Sequence, residues 1–250
     1  MNAPDRAAGL AHPAGSIDAR IAAIDDQALA DALNAEGWAR IEGLLTAAEC
    51  TGLAARYGDD APTFRSRVVM ARHGFGRGEY KYFAYPLPPL IGALREALYA
   101  RLAPIANRWH EAMGLAVRFP AHHAEFLARC HAAGQRRPTP LLLQYGEGDY
   151  NCLHQDVYGE QVFPLQVVLL LSEPGRDFDG GEFVLTEQRP RMQSRPMVLP
   201  LRQGDAAVIA VHHRPVQGTR GHYRVQLRHG VSRLRSGQRH TAGIVFHDAA

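Results

Sequence analysis

The sequence predicts a mainly β protein with flanking helices, whose strands form an all-β barrel or a jelly roll. Two observations predict this fold class. After Arg137-Pro138, short apolar segments recur between Gly, Asp and Pro residues, as they do in barrels and jelly rolls. Before that point, apolar residues recur at steps of three and four, which predicts helices packed on one face of the strands.

Eight short strands are predicted in the second half of the chain, each bounded by turn residues. They are Leu141–Tyr145, Cys152–Val157, Gln166–Leu171, Glu182–Thr186, Met197–Leu201, Ala206–Val211, Arg224–Val231 and Thr241–Phe246. No apolar run approaches the roughly 18 residues that a membrane helix needs. We therefore expect no membrane partner.

The first half predicts helices, one strand and a hairpin. Thr46 and Glu49 have the spacing of a capping box, which opens a helix through Arg56. Pro104 is expected to bend or break the longest helix. The other predicted segments are helix Ile21–Glu36, strand Trp38–Leu45, hairpin or flexible lip Arg65–Tyr85, helix Ile91–Met113 and helix Ala121–Ala132.

Composition predicts an ordinary globular chain of one structural unit. The 250 residues are 46% hydrophobic and 21% charged, which excludes a disordered or fibrous protein. We expect a flexible tail over residues 1–16, a helical and hairpin part over 17–137, and a β core over 138–250. No internal repeat or linker separates the last two parts.

Charge and cysteine usage exclude few function classes. A net charge of +3 permits nucleic-acid binding without arguing for it. Arginine, which suits phosphate and carboxylate recognition, supplies every basic residue except Lys81, although genomic base composition is the simpler explanation. Cys50, Cys130 and Cys152 are too widely spaced for a disulfide framework or a zinc site, which predicts a reducing, cytoplasmic location.

The segment Leu153-His154-Gln155-Asp156 carries candidate metal ligands. Residues two apart in a strand point to the same side, so His154 and Asp156 can present an imidazole and a carboxylate to one ion. One more imidazole completes a facial triad, which leaves positions free on an octahedral ferrous ion. The His-x-Asp pattern alone often arises by chance, so its weight depends on its context.

Further motifs follow in order along the chain. A Gly180-Gly181 turn comes after the candidate metal strand, residues 203–209 predict a turn and a strand, and Arg239 stands ten residues after His229. Together these motifs resemble the Fe(II)/2-oxoglutarate-dependent dioxygenase superfamily over roughly residues 138 to 248. The resemblance implies a double-stranded β-helix, or jelly roll, with the N-terminal helices packed on it.

The resemblance also implies site residues and cofactors. Fe(II) would be bound by three residues, His154, Asp156 and His229. Arg239 would form a bidentate salt bridge with the distal carboxylate of 2-oxoglutarate, and Thr241 and Tyr145 would add hydroxyl contacts to this co-substrate. The implied cofactors are Fe(II), 2-oxoglutarate and O2, with ascorbate as a candidate reductant.

Part of the chain is similar to the AlkB-like branch of this superfamily. Tyr145, nine residues before His154, matches a tyrosine of that branch, but Leu143 replaces its asparagine and Arg239-His-Thr replaces its arginine-rich signature. Three other blocks resemble a bacterial oxygenase family described as acting on alkylated DNA: residues 72–83, 106–109 and 246–248.

Thirteen histidines allow other ligand assignments. The alternatives to His229 are His222, seventeen residues before Arg239, and the adjacent pair His212 and His213. His247 ends the last predicted strand, where we expect a hydrogen-bonding role in place of catalysis.

The predicted lip carries candidate substrate residues. Tyr80 and Tyr82 can stack on a planar base, and Arg72 or Lys81 can meet a phosphate. The alternative is a surface hairpin whose aromatic side chains pack on the barrel.

Three functions remain open from sequence alone. The first is oxidative hydroxylation or demethylation of alkylated nucleobases, with single-stranded or damaged nucleic acid as partner. The second is hydroxylation of an amino acid, peptide or small molecule, which the spacing of His229 and Arg239 and the missing AlkB signature favour. The third is a non-catalytic jelly-roll metal-binding module, which would leave Arg239 without a role. The sequence does not indicate an oligomeric state.

Overall fold

The computed structural model describes residues 15–59 and 62–250. The predicted tail therefore lies outside the described residues, apart from Gly15 and Ser16. In the described part, no helix is both long and apolar enough to cross a membrane. The α-helices are α1 (Ile17–Ala22), α2 (Asp26–Glu36), α3 (Ala47–Ala55), α4 (Pro89–Ala112) and α5 (His123–Ala132).

Strands make up most of the remaining regular structure. In chain order they are β1 (Trp38–Ile41), β2 (Phe64–Val69), β3 (Gly76–Arg77), β4 (Glu79–Phe83), β5 (Leu141–Tyr145), β6 (Tyr150–His154), β7 (Leu165–Leu170), β8 (Phe178–Gly180), β9 (Phe183–Gln188), β10 (Arg195–Leu199), β11 (Ala206–Ala210), β12 (His213–Gly218), β13 (Gly221–Val231), β14 (Leu234–Gly237) and β15 (Arg239–Ile244).

Two antiparallel sheets organise the strands. The larger has the order β1-β11-β7-β15-β5-β4-β2, and the smaller has the order β10-β9-β13-β6-β3, with β12 also paired to β13. Strands β8 and β14 form a separate ribbon. Helices α2, α3 and α4 contact strands β11 and β15 of the larger sheet. The predicted class, mainly β with helices packed on the strands, is confirmed.

Burial explains why β7, an interior strand of the larger sheet, has an almost continuous apolar sequence. All six residues of β7 are buried, although one of them is the polar Gln166. A strand covered on both faces shows no alternation of apolar and polar residues. Strand β9 alternates instead, with Phe183, Leu185 and Glu187 buried and the residues between them partly exposed, because only one face of the smaller sheet is covered.

Each of the eight predicted core strands overlaps an observed strand, whereas several details in the first half differ. The predicted helix Ile21–Glu36 is two helices, because the Asp25 carboxylate accepts hydrogen bonds from two backbone amides and starts α2. Pro104 does not break α4, which is continuous through it. The capping box of Thr46 and Glu49 is confirmed.

The boundary predicted between residues 137 and 138 stays a prediction. Strand β4, from before that boundary, pairs with β5, and β1 pairs with β11. The ladder of the larger sheet therefore runs across the predicted boundary at two places.

A buried ion pair fixes the end of the chain against the longest helix. Arg95 on α4 donates to the Asp248 carboxylate at 2.8 Å and to the Val245 carbonyl at 2.9 Å. Tyr85 and His131 contact the second oxygen of Asp248, each at 2.9 Å. Burial raises the pKa of Asp248, but Arg95 and the other hydrogen-bond partners outweigh it and lower that pKa.

We expect Arg95→Ala to lower the free energy of unfolding by about 3–5 kcal/mol, because it leaves the Asp248 carboxylate buried without its cation. Urea unfolding followed by circular dichroism measures this loss. The matched control is Arg235→Ala, which breaks an exposed ion pair with Asp179 and should change stability little. Equal losses in the two variants would contradict the prediction.

Candidate metal centre and co-substrate site

Strand pairing places two of the predicted metal ligands side by side. His229 on β13 is the cross-strand partner of His154 on β6, and their ring centroids are 4.2 Å apart. Asp156, two residues beyond the end of β6, lies between them, with Oδ2 3.3 Å from His229 Nε2 and Oδ1 3.6 Å from His154 Nε2. The structure thus brings the three predicted residues together, with donor atoms within 4.8 Å of one another.

An irregularity in this pairing lets β6 present two functional residues to one face. Between the pairs His229–His154 and Val231–Asn151, β13 advances two residues and β6 advances three. In a regular strand, positions three apart face opposite ways, but the extra residue of a bulge reverses the alternation. Both Asn151 and His154 consequently line the same cavity.

The electrostatics of the three residues suit a divalent cation. Burial and the neighbouring His229 lower the pKa of His154, which favours the neutral imidazole that binds metals. Burial would raise the pKa of Asp156, but the hydrogen bond and charge of His229, with His154 and Tyr158, hold it well below its usual range. A carboxylate and two imidazoles facing an open space are the donor set of a non-haem Fe(II) site.

The cavity beside these residues has a volume of about 320 Å³ and is lined from both sheets. Its floor carries the candidate ligands, and one end is formed by β5 and β15, from which Tyr145, Arg239 and Thr241 face inward. Arg239 pairs with Tyr145 across these strands, and Thr241 pairs with Leu143. The structure therefore brings the three predicted co-substrate residues together at one end of the cavity.

Arg239 is a buried cation without a counter-ion. It is 1% exposed, and within the described residues no carboxylate pairs with it and its Nε and Nη1 atoms have no hydrogen-bond partner. The rings of Tyr145 and Phe178 lie beside it, with centroids 5.6 and 5.8 Å from the guanidinium carbon. Burial lowers the pKa of Arg239 to about 10. Such a group fits an anionic ligand that completes its hydrogen bonds.

The Gly180-Gly181 turn packs directly against this arginine. Gly181 has φ +60°, and a Cβ there would lie 3.1 Å from Arg239 Cδ and 2.5 Å from Leu234 Cδ1. Any side chain at this position would therefore displace the arginine stem or Leu234. The close approach gives the glycine motif of the sequence a physical reason.

Three polar residues of the site were not singled out from the sequence. Tyr158 donates a hydrogen bond to Asp156 Oδ1 at 2.7 Å, Gln166 lies 3.2 Å from His229 Nε2, and Asn151 donates to the Tyr145 hydroxyl at 3.3 Å. Tyr158 stands two residues after Asp156, as Asp156 stands two residues after His154. This spacing is visible in the sequence and could have pointed to Tyr158. Gln166 lies within an apolar run, and only the fold shows which face it occupies.

The alternative histidines lie elsewhere. His222 is exposed and pairs with Gln217 near the turn between β12 and β13. The ring centroids of His212 and His213 are 3.6 Å apart. Neither residue belongs to the group of candidate ligands that contains Asp156. His247 is buried, and its Nδ1 accepts a hydrogen bond from the Phe163 amide at 3.3 Å, as a hydrogen-bonding role requires.

The predicted substrate residues separate into two groups. Tyr80 lines the cavity, and Tyr82 lies behind Tyr158, with the two hydroxyls 3.2 Å apart. Lys81 points the other way along β4 and donates to the carbonyls of Tyr57 and Asp59, at 2.7 and 3.3 Å. Arg72 is exposed in a 3₁₀ turn. Neither Lys81 nor Arg72 lines the cavity, and the predicted contact of either residue with a phosphate stays a prediction.

Comparisons with known proteins agree with this geometry. A family model, Oxygenase-NA, described as an oxygenase catalysing oxidative methylation of damaged DNA, matches residues 78–249. An uncharacterized protein of Mycobacterium tuberculosis (strain ATCC 25618 / H37Rv) is 51% identical over 168 residues, which cover 67% of this chain and 72% of that protein.

Solved structures share the fold at low sequence identity. A Pseudomonas putida prolyl-4-hydroxylase superposes with a TM-score of 0.53 at 15% identity, covering 90% of this chain and 100% of that one. A Burkholderia pseudomallei oxidoreductase of the 2OG-Fe(II) oxygenase family gives a TM-score of 0.51 at 17% identity, covering 97% and 98%. These likenesses confirm the predicted jelly-roll fold.

The family match spans more than half of the chain and includes all three residues of the candidate metal centre. The fold and the His-Asp-His group agree with the cofactors predicted from the sequence, Fe(II), 2-oxoglutarate and O2. The chain therefore belongs to the Oxygenase-NA family, whose description is that of an oxygenase.

Proposed function

We propose that the protein oxidises alkyl groups on nucleobases, with Fe(II) held by His154, Asp156 and His229 and 2-oxoglutarate held by Arg239. The observation that carries the co-substrate assignment is the buried guanidinium of Arg239, which lines the same cavity as the three candidate ligands and has no hydrogen-bond partner for Nε and Nη1 within the described residues. The nucleobase is supported by the description of the matching family, which names damaged DNA. A jelly-roll module that only bound a metal would bury this charge without benefit. A dicarboxylate that reaches from the metal to Arg239 would neutralise it.

Each residue then has a defined task. The two imidazoles and the carboxylate would hold Fe(II), which supplies O2 activation coupled to decarboxylation of 2-oxoglutarate to succinate. Arg239 would bind the distal carboxylate of the co-substrate through two parallel hydrogen bonds. Thr241 faces the same space from the same strand and would add a hydroxyl donor, and Tyr145 would contribute its phenol.

The mouth of the cavity supports a planar aromatic substrate. Phe75 lines the cavity while 48% exposed, and its ring stacks on His73 with centroids 5.3 Å apart. Tyr80 forms part of the wall beyond it. Enzymes that modify a base flip it out of the stack and hold it between aromatic side chains. Arg77, which follows on β3, is exposed and lies 3.9 Å from the Asp149 carboxylate through its Nε atom, and we expect it to contact a phosphate of the same strand of nucleic acid.

Hydroxylation of a peptide or small molecule is the second candidate. The ten-residue spacing between His229 and Arg239 favours it. One of the similar folds is that of a prolyl-4-hydroxylase, a neighbour whose substrate differs from a nucleobase. The substrate tests below separate the two candidates.

A cytoplasmic location stays a prediction. It rests on the wide spacing of the cysteines, all three of which, Cys50, Cys130 and Cys152, are free thiols.

We expect the purified protein with Fe(II) and ascorbate to convert 2-oxoglutarate to succinate, measurable by mass spectrometry. Asp156→Ala should reduce this turnover to background, because it removes the only anionic ligand of the proposed triad. Asp179→Ala, which removes an exposed carboxylate paired with Arg235, is the control and should retain turnover. Full activity in Asp156→Ala would exclude the proposed metal centre.

For Arg239→Met we expect opposite effects on stability and on co-substrate binding. The melting temperature of the ligand-free protein should stay the same or rise, because an apolar side chain replaces a buried unpaired cation. The KM for 2-oxoglutarate should rise roughly 10- to 100-fold, the loss typical of hydrogen bonds to charged groups.

Differential scanning fluorimetry with and without 2-oxoglutarate provides the second measurement. The co-substrate should raise the melting temperature of the wild type, and of the control Arg228→Met at an exposed position on β13, but not that of Arg239→Met. An unchanged shift in Arg239→Met would show that the co-substrate binds elsewhere.

We expect a methylated single-stranded oligonucleotide to release formaldehyde in the presence of Fe(II) and 2-oxoglutarate, whereas the same oligonucleotide without methyl groups does not. Phe75→Ala should raise the KM for the oligonucleotide roughly 5- to 100-fold, the typical value of one base–aromatic stack. Met192→Ala, at an exposed apolar residue that does not line the cavity, is the control. Turnover stimulated by peptides but by no methylated oligonucleotide would favour the second candidate.

A further inference from the structure

Tyr158 lies in direct contact with the proposed carboxylate ligand. Its hydroxyl is 2.7 Å from Asp156 Oδ1. An ionised carboxylate only accepts hydrogen bonds, so the Tyr158 proton must be donated to Asp156. The Tyr82 hydroxyl, 3.2 Å from that of Tyr158, must then donate to the Tyr158 oxygen. The direction of both hydrogen bonds follows from the charge of Asp156.

The two oxygens of Asp156 have different surroundings. Tyr158 occupies Oδ1, whereas Oδ2 lies 3.3 Å from His229 Nε2. Strand β6 ends at His154, so the backbone at Asp156 is not held by the sheet ladder. The orientation of its carboxylate therefore depends on side-chain contacts, and the Tyr158 hydroxyl is the shortest of those at Oδ1.

The turn that carries Tyr158 is itself anchored from behind. Gln135 is 1% exposed, and its amide donates to the carbonyls of Tyr158 and Asp248, at 2.9 and 2.6 Å, and accepts from the Gln161 amide at 2.6 Å. Gly159 has φ +87°, and a Cβ there would lie 2.5 Å from Gln135 Cδ. Only glycine lets the turn approach the buried glutamine this closely.

We propose that Tyr158 is a positioning residue for the metal centre, which holds Asp156 Oδ1 and leaves Oδ2 as the oxygen available to Fe(II). Tyr82 supports Tyr158 by donating to its hydroxyl oxygen, and Gln135 fixes the turn. This assignment replaces the substrate contact predicted for Tyr82. It rests on the proposed Fe(II) site, so its test must separate a failure of Tyr158 from a failure of that site.

The test is anaerobic Fe(II) titration of four variants, followed by the charge-transfer absorption that develops when 2-oxoglutarate is added. Tyr158→Phe removes one hydroxyl and should weaken Fe(II) binding roughly 10- to 100-fold and shift the absorption band, as loss of a residue that orients a ligand does. Tyr82→Phe should weaken binding roughly 2- to 10-fold, because it removes a hydrogen bond between neutral groups. Tyr99→Phe is the matched control: it also loses one hydrogen bond, to the Pro120 carbonyl, but outside the site.

The fourth variant, Asp156→Ala, separates a failure of the proposed Tyr158 role from a failure of the proposed metal site. Wild-type Fe(II) affinity and absorption in Tyr158→Phe, together with lost binding in Asp156→Ala, would overturn the role of Tyr158 and leave the metal site standing. Retained Fe(II) binding in Asp156→Ala would overturn the metal site itself. Circular dichroism and melting temperature establish that each variant is folded. If Tyr158→Phe does not fold, the Fe(II) affinities of Tyr82→Phe and Tyr99→Phe are compared in its place. Equal Fe(II) affinities in these two variants would overturn the proposal.

Discussion

The pairing of β6 with β13 is the constraint on which the site depends. It places His154 opposite His229 although the two residues are 75 positions apart in the sequence. The bulge in this pairing turns Asn151 to the same face, so the strand that carries the proposed ligand His154 also supplies a hydrogen bond to Tyr145, a proposed co-substrate residue. A shift of one residue in the register would send the His154 side chain to the solvent face.

The second constraint is the charge of Arg239. Without a ligand, the fold keeps a desolvated guanidinium between two aromatic rings, which opposes stability. This unfavourable burial would favour binding of a dicarboxylate, because no carboxylate of the described residues forms an ion pair with Arg239. Gly181 belongs to the same arrangement, since the arginine stem occupies the space that a side chain would need.

Most of the fold and the centre of the site could be predicted from the sequence, the strands from their composition and the ligands from alternation and spacing. Strand β5 was predicted at its observed bounds because it is short, apolar and flanked by Pro and Gly. His154 and Asp156 follow from alternation in a strand, whereas the choice of His229 over His222 rested on its spacing to Arg239. Alternation also indicates that Tyr80 and Lys81 face opposite ways, but not which of them faces the cavity.

What could not be predicted depends on contacts between distant segments. Gln135, which follows the end of α5, donates a hydrogen bond to the Tyr158 carbonyl. No local sequence pattern predicts a contact between segments this far apart. The same limit explains Pro104: local chemistry predicts a break, but α4 stays helical because Leu98, Leu102 and Ile105 are buried on both sides of the proline. Packing across the helix outweighs the single lost backbone hydrogen bond.

The residues proposed to bind iron and the co-substrate leave part of the cavity lining for contacts with the substrate. The proposed metal ligands are His154, Asp156 and His229, and the proposed co-substrate residues are Arg239 and its neighbours on β5 and β15. The rest of the lining includes Gly74 and Phe75 from the segment between β2 and β4, and Tyr80 from β4, and the side chain of Phe75 is exposed. This segment is fixed to the metal strand by the hydrogen bond from the Cys152 amide to the Phe75 carbonyl, at 2.9 Å. Substrate specificity is therefore expected to depend on Phe75 and Tyr80, which line the cavity and belong neither to the proposed metal ligands nor to the proposed co-substrate residues.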